Sequence, residues 1–276
     1  MSPREPRFLL SELAMILRRR RNQAMLGALF VIPVVIAVAV KLQAPHGGGR
    51  GDTGGALFGN ITENGVFVAF SALFVVLTLF LPLTTAVVAG ESIAGEASSG
   101  TLRYLLVVPV GRTRLLLVKY AGILTWCVLA PLVVAVAGLL AGLVFFPSGD
   151  IVLLSGTPAS MASALGRLAM VTGYAAVMMA AVGAIGLFVS TLTEVPVAAM
   201  AATLAVAIAS EVLDAVPQLH TIQPWLFSHY WLQFGDLLRD PISYDGVRHG
   251  MLVSIVYALL FLSLAWARFG SKDVTS

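Results

Sequence analysis

Two long apolar stretches are separated by one strongly polar run, residues 90–119, reading GESIAGEASSGTLRYLLVVPVGRTRLLLVK. It holds two carboxylates, Glu91 and Glu96, four cations, Arg103, Arg112, Arg114 and Lys119, and a Gly100-Thr101-Leu102 triplet with Pro109 seven residues after Leu102. Groups of this kind can move protons, activate a nucleophile or hold a soluble partner by charge. Gly90-Glu91-Ser92-Ile93-Ala94 loosely resembles a Gly-x-Ser-x-Gly nucleophile elbow. A serine nucleophile needs a histidine base within hydrogen-bond reach. All four histidines, His46, His220, His229 and His249, fall across the membrane from Ser92 in the topology derived below, so no catalytic residue is expected. They also lack the close paired spacing of a zinc site, so no metal is expected. The glycine-rich run 45–59 does not end in Gly-Lys-Ser/Thr, which removes a phosphate-binding loop. A second acidic pair, Glu211 and Asp214, is three residues apart and shares a helix face. It would line the exit of a translocation path or, as interfacial acids, meet water and the segment that follows.

The elements that must position these groups are membrane helices. Hydrophobic residues make up 58% of the 276-residue chain and charged residues 11%, against about 25% charged in soluble domains. A bilayer core about 30 Å thick takes roughly 20 apolar residues per helix. Six stretches qualify, 24–40, 66–89, 120–146, 168–190, 195–213 and 251–267, which predicts one all-α integral membrane domain over residues 1–276. Pro33 should kink the first span, and the third is long enough to require tilting or a bend near Pro131. The fourth is rich in small residues that permit close helix contacts. The spans lack deep charges, and no pair of broken helices stands out.

Outside the spans, residues 6–22 read as an amphipathic helix lying in the interface and ending in Arg18, Arg19, Arg20 and Arg21. Trp225, Phe227, Tyr230, Trp231 and Phe234, in the last external segment 214–250, read as an interfacial aromatic belt on a short surface or re-entrant helix, or alternatively as an external gate or lipid-facing exit. With the N-terminus cytoplasmic, the N-terminal segment, the 90–119 run and the tail carry six, four and two cations, twelve against five on the other side. That asymmetry places both termini and the polar run in the cytoplasm. The net charge of +3 then reflects anchoring to anionic membrane lipid, with no nucleic-acid partner expected. The lone Cys127 excludes an intrachain disulfide.

Within the polar run, Leu102, Leu105 and Leu106 recur at helical spacing, residues 98–101 read as a helix start and Pro109 as a stop. The result is a short helix with one apolar face and a charged surround, suited to a partner's groove. An ordinary interfacial loop helix shows the same pattern. At these residues the sequence resembles the permease subunits of type 2 ATP-binding-cassette (ABC) exporters. Their pattern of an acidic residue, Gly-Thr-Leu, a leucine pair, Pro-Val-Ser-Arg and a later lysine is matched in order by Glu96, Gly100-Thr101-Leu102, Leu105-Leu106, Pro109-Val110, Arg112 and Lys119. Gly111 stands in place of the usual serine, and Ala97 where a charged residue often follows the glutamate. Six spans, a basic amphipathic N-terminus and a long last external segment agree with that family over most of the chain.

The resemblance implies a coupling helix between spans two and three that docks on a separate ATPase. Glu91, Glu96, Gly100, Thr101, Leu102, Leu105, Leu106, Pro109, Arg112 and Lys119 would be its coupling residues. It implies two permease chains, identical or paired with a similar one, over two ATPase subunits that bind the ATP and Mg, with no cofactor in this chain. The setting implied is a bacterial plasma membrane, and the cargo a hydrophobic or amphipathic substrate for export. The rival classes are a polytopic membrane enzyme and a secondary transporter, both working without an ATPase.

Overall fold

A computed structural model of the chain describes residues 16–43, 57, 60–62, 64–100, 112–147 and 149–271. Its elements are helices α1 (Arg20–Gln43), α2 (Val66–Thr78), α3 (Phe80–Ser98) and α4 (Arg112–Phe145), then a two-stranded hairpin, β1 (Ile151–Val152) and β2 (Pro158–Ala159). Helices α5 (Met161–Leu192) and α6 (Pro196–Asp214) follow, then three 3-10 turns, Pro217–Leu219, Gln223–Trp225 and Trp231–Leu238, and finally α7 (Asp245–Ser271). Among the described residues five helices, α1, α4, α5, α6 and α7, are each long and apolar enough to cross a membrane, and α2 with α3 forms a bent pair that passes the same test when taken together. Only helices or closed barrels satisfy every backbone group in hydrocarbon, and the apolar side chains left on the outer faces, such as Val35, Val144, Val197 and Leu252, suit lipid rather than water. The chain is a membrane protein built almost entirely of α-helix.

α5 is the axis of the bundle. It packs against α3, α4, α6 and α7, and its small residues at Gly183 and Gly186 let Ile123 of α4 and Ala89 of α3 come to its backbone. α1 packs on α4 at the periphery and α7 on α5. The helices run past the apolar stretches that announce them. α4 is a single helix from Arg112 through Pro131 to Phe145, about 50 Å at 1.5 Å per residue, and α3 continues through Gly90 to Ser98.

Span two departs from the reading of its sequence. It is broken at Leu79 (φ −130°, ψ −53°), and its halves are bent by 52°. Pro82 is the physical reason: it has no amide for the Thr78 carbonyl four residues back, and its ring crowds that oxygen. The halves then belong to different neighbours, α2 lying on α4 and α3 on α5 and α6. On α2 the contact is backbone against backbone. A side-chain carbon at Gly142 or Gly65 would overlap the other's carbonyl oxygen, and one on Gly138 would stand 2.5 Å from Ala69 Cα. The Gly65 amide donates to Pro147 O at 3.0 Å, and Asn64 Nδ2 to Gly149 O at 3.1 Å, securing this end of the crossing.

The aromatic segment is also corrected. Trp231 and Phe234 are buried in the bundle, with Phe227 close behind, and of this group Trp225 is the one that stands well exposed at 73%. A 3-10 segment can enter the bundle end only if its carbonyls are met there. Arg167 Nη1 donates to Leu237 O (2.5 Å) and Arg239 O (2.8 Å), and Tyr174 Oη to Tyr230 O (2.5 Å). The belt reading failed because composition shows aromaticity but not the two helix side chains that cap the backbone. The interfacial helix expected over 6–22 lies largely outside the described residues; residues 16–18 are helical and separated from α1 by a break at Arg19.

Replacing Gly142 by alanine forces α2 and α4 apart and is expected to cost about 1–3 kcal/mol, read as a lowered melting temperature of the detergent-solubilised protein. Gly173→Ala, where an added carbon meets nothing within 4 Å, is the control and should leave the transition unchanged or slightly raised.

Candidate functional site

Three helix ends converge at the pole of the bundle opposite the aromatic segment: the start of α1, the end of α3 and the start of α4. α3 delivers Glu91 and Glu96 there, five residues apart and so turned to different neighbours. Glu91 Oε2 accepts from Arg19 Nη1 and from Arg21 Nη2, each at 2.6 Å. Glu96 pairs with Lys119 of α4, whose side chain is 4% exposed. The carboxylates that the sequence offers to a soluble partner are therefore engaged within the chain, Glu91 fastening the N-terminus to α3 and Glu96 fastening α3 to α4.

The Glu96–Lys119 pair also closes the base of the segment between the two helices. Thr101, Leu102, Leu105, Leu106 and Pro109, the heart of the expected coupling helix, lie outside the described residues, as does the side chain of Arg112. The edges of that segment are settled. Ser98 and Ser99 finish α3 instead of starting a new helix: the Ser99 amide donates to Gly95 O and the Gly100 amide to Ala97 O at 3.1 Å. Gly100 has φ +70°, the left-handed conformation that ends helices and that glycine adopts without a side-chain penalty. Residues 98–101 carry a start signal in the sequence, but the αL conformation of Gly100 makes Ser98 and Ser99 the end of α3.

α3 is held from its other side by Ser190, which sequence reasoning did not single out, and by Gly186, one of the small residues of the fourth span expected to permit close contacts. Ser190, near the end of α5, accepts through Oγ from the amides of Ile93 (3.1 Å) and Ala94 (2.9 Å) and donates to Gly90 O at 2.7 Å. A side-chain carbon on Gly90 would lie 2.8 Å from Met200 N, and one on Gly186 2.6 Å from Ala89 Cβ. The α3 segment 89–94 is thus wedged between α5 and α6 with backbone in contact. The available signal was a serine and two glycines in otherwise apolar helices, a known mark of close helix crossings.

The remaining candidates separate cleanly. Ser92 Oγ donates to Ala89 O at 2.6 Å, while His229 sits at the far end of α6 against Asp214. With Met200 beside Gly90 and about 1.5 Å of rise per residue, base and hydroxyl lie on the order of 20 Å apart or more. The structure does not bring them together. Asp214 Oδ1 is 2.6 Å from His229 Nδ1, and its carbonyl accepts from Gln223 Nε2 at 2.7 Å. Asp214 therefore contacts the segment that follows α6, with Glu211 half-buried one turn earlier on α6. Among the described residues no group of three or more histidine, cysteine or acidic side chains could hold a metal ion.

Residues 54–275 match a family described as protein of unknown function (DUF2705). The chain belongs to that family. The DUF2705 match covers α2 to α7 and leaves α1, with its arginines, outside it. The chain is also 29% identical over 98 residues to the uncharacterized protein YhcI of Bacillus subtilis (strain 168), a match that spans 36% of this chain and 28% of that protein's length.

Lys119→Met leaves the Glu96 carboxylate facing a lost cation in a largely buried place, an arrangement expected to cost about 3–5 kcal/mol. Adding Glu96→Gln should restore most of that stability. The measurement is a double-mutant cycle on thermal unfolding, and simple addition of the two losses would contradict the pair's role as a staple.

Proposed function

We propose that this chain is the membrane-spanning permease subunit of an ATP-driven transporter of the ABC type, exporting a hydrophobic or amphipathic substrate. It is not itself an enzyme. In this reading the segment from Gly100 to Arg112 docks on a separate ATPase. The observation that carries it is the family-like order Glu96, Gly100-Thr101-Leu102, Leu105-Leu106, Pro109-Val110, Arg112, Lys119, whose two outermost charges pair and bring the ends of α3 and α4 together. A docking loop needs a fixed base to transmit displacement, and the Glu96–Lys119 pair supplies one.

The working assembly is two permeases, identical or similar, over two ATPase subunits that bind ATP and Mg, in a bacterial plasma membrane with both termini cytoplasmic. ATP binding would draw the ATPases together and push the docking segment. The push travels into α3, which is gripped by Ser190 of α5 and packed against Met200 of α6. The break at Leu79 lets α3 change its angle while α2 stays locked on α4 through Gly65 and Gly142. Two packings of α3, α5 and α6 then correspond to inward- and outward-facing states, which nucleotide biases and hydrolysis resets. Glu211 and Asp214 would lie near the exit.

Two predictions follow the docking segment. A tagged chain isolated from its native membrane should bring down a protein carrying a Gly-x-x-x-x-Gly-Lys-Ser/Thr loop. Leu102→Asp with Leu105→Asp should abolish substrate-stimulated ATP hydrolysis in the reconstituted complex without reducing the amount of chain inserted. Transport or catalysis by the purified chain alone would refute the permease reading and favour a secondary transporter or membrane enzyme.

A further inference from the structure

Four consecutive arginines, Arg18 to Arg21, stand where the apolar part of α1 begins. A break at Arg19 divides them. It is held by Asn22, itself buried, whose Nδ2 donates to Ile16 O at 2.8 Å. Beyond the break Arg19 and Arg21 both reach Glu91, while Arg18 and Arg20 stay exposed. The two engaged arginine side chains remain about half exposed, at 46% and 40%.

These groups rim a cleft between the N-terminal turn, α3 and α4. The cleft holds three cations, Arg19, Arg21 and Lys119, against two carboxylates, Glu91 and Glu96. Its net charge is therefore positive, 3 − 2 = +1. Ile16, Val88 and Ile123 give it an apolar wall, and Ser92 a hydroxyl. A guanidinium fork binds phosphate in the same bidentate geometry as carboxylate.

We propose that this cleft binds the phosphodiester of an anionic membrane lipid, which competes with Glu91 for Arg19 and Arg21. The source is a lipid headgroup because of what lies beside the cleft. α1 leaves it with apolar side chains facing outward, Phe30, Val31 and Val35 among them, so acyl chains run along α1 while the phosphate sits on the arginines. A soluble phosphate gains nothing from that wall. Bound lipid frees Glu91, and with it the N-terminal turn, from α3. The contact between α1 and α3 thereby becomes a function of lipid composition. None of this rests on the presence of an ATPase partner.

The test is native mass spectrometry of the full chain in detergent, titrated with phosphatidylglycerol, with phosphatidylcholine and with inorganic phosphate. Phosphatidylglycerol should be retained in preference to phosphatidylcholine, and inorganic phosphate at millimolar levels should not displace it. Arg19→Gln with Arg21→Gln should reduce retention about tenfold or more, given roughly 1 kcal/mol per juxtamembrane cation. Glu91→Gln, which removes the competitor and needs no arginine change, should raise retention several-fold. An unchanged or lowered affinity in Glu91→Gln overturns the proposal. So does an equal loss on Arg18→Gln with Arg20→Gln, which would mean diffuse attraction to a basic surface, and so does displacement by inorganic phosphate, which would mean a free anion site.

Discussion

A backbone amide or carbonyl inside hydrocarbon must find its partner within the protein, because nothing in the lipid replaces water. Three departures from plain helix among the described residues trace to how that demand is met. At Leu79 a proline withdraws the donor for Thr78, and the span bends instead of running straight. Near Gly90, Ser190 of a neighbouring helix inserts a hydroxyl that serves one carbonyl and two amides at once. At the opposite pole, Arg167 and Tyr174 reach across to carbonyls of the 3-10 segment, and that is what lets Trp231 and Phe234 sink among the helices.

Charge adds a second layer, and at the pole opposite the aromatic segment it ties helix to helix. Burying Lys119 or Glu96 singly would be costly, and their pairing offsets much of the desolvation. The geometry also gives direction: Glu91 ties α3 to the N-terminal turn and Glu96 ties it to α4. α3 is thus held at the same level from two sides, by ion pairs through Glu91 and Glu96 on one and by close contact with α5 and α6 at Gly90 on the other. Side-chain ion pairs near water exchange partners readily, whereas glycine crossings cannot slide without collision. The polar end is accordingly the part of α3 that an external agent, protein or lipid, can most easily address.

The split of span two sharpens that contrast. One half shares the rigid glycine crossing with α4, the other shares its neighbours with the centre of the bundle. The polar end of α3 therefore lies against α5 and α6 directly and against α2 only through the break at Leu79.

The sequence by itself determined the class and the apolar helices. Runs of apolar residues near the length of a bilayer crossing leave the backbone little choice but helix, so the helices covering 24–40 through 251–267, and their order, were legible. It also located the polar run and its charges, because ionisable residues are scarce here and stand out. The partners of those charges were decided only by tertiary structure. Glu91 meets arginines 70 and 72 residues away and Glu96 a lysine 23 residues away, separations over which local periodicity carries no information. The same limit hid the Ser190 bridge and the burial of Trp231, both made by residues far apart in the chain. The break at Leu79 was available locally in Pro82, yet hydropathy averages over a window and a proline barely changes the mean. Composition fixes what must be buried and what must be helical; which polar group satisfies which depends on how the helices cross, and that is written only in three dimensions.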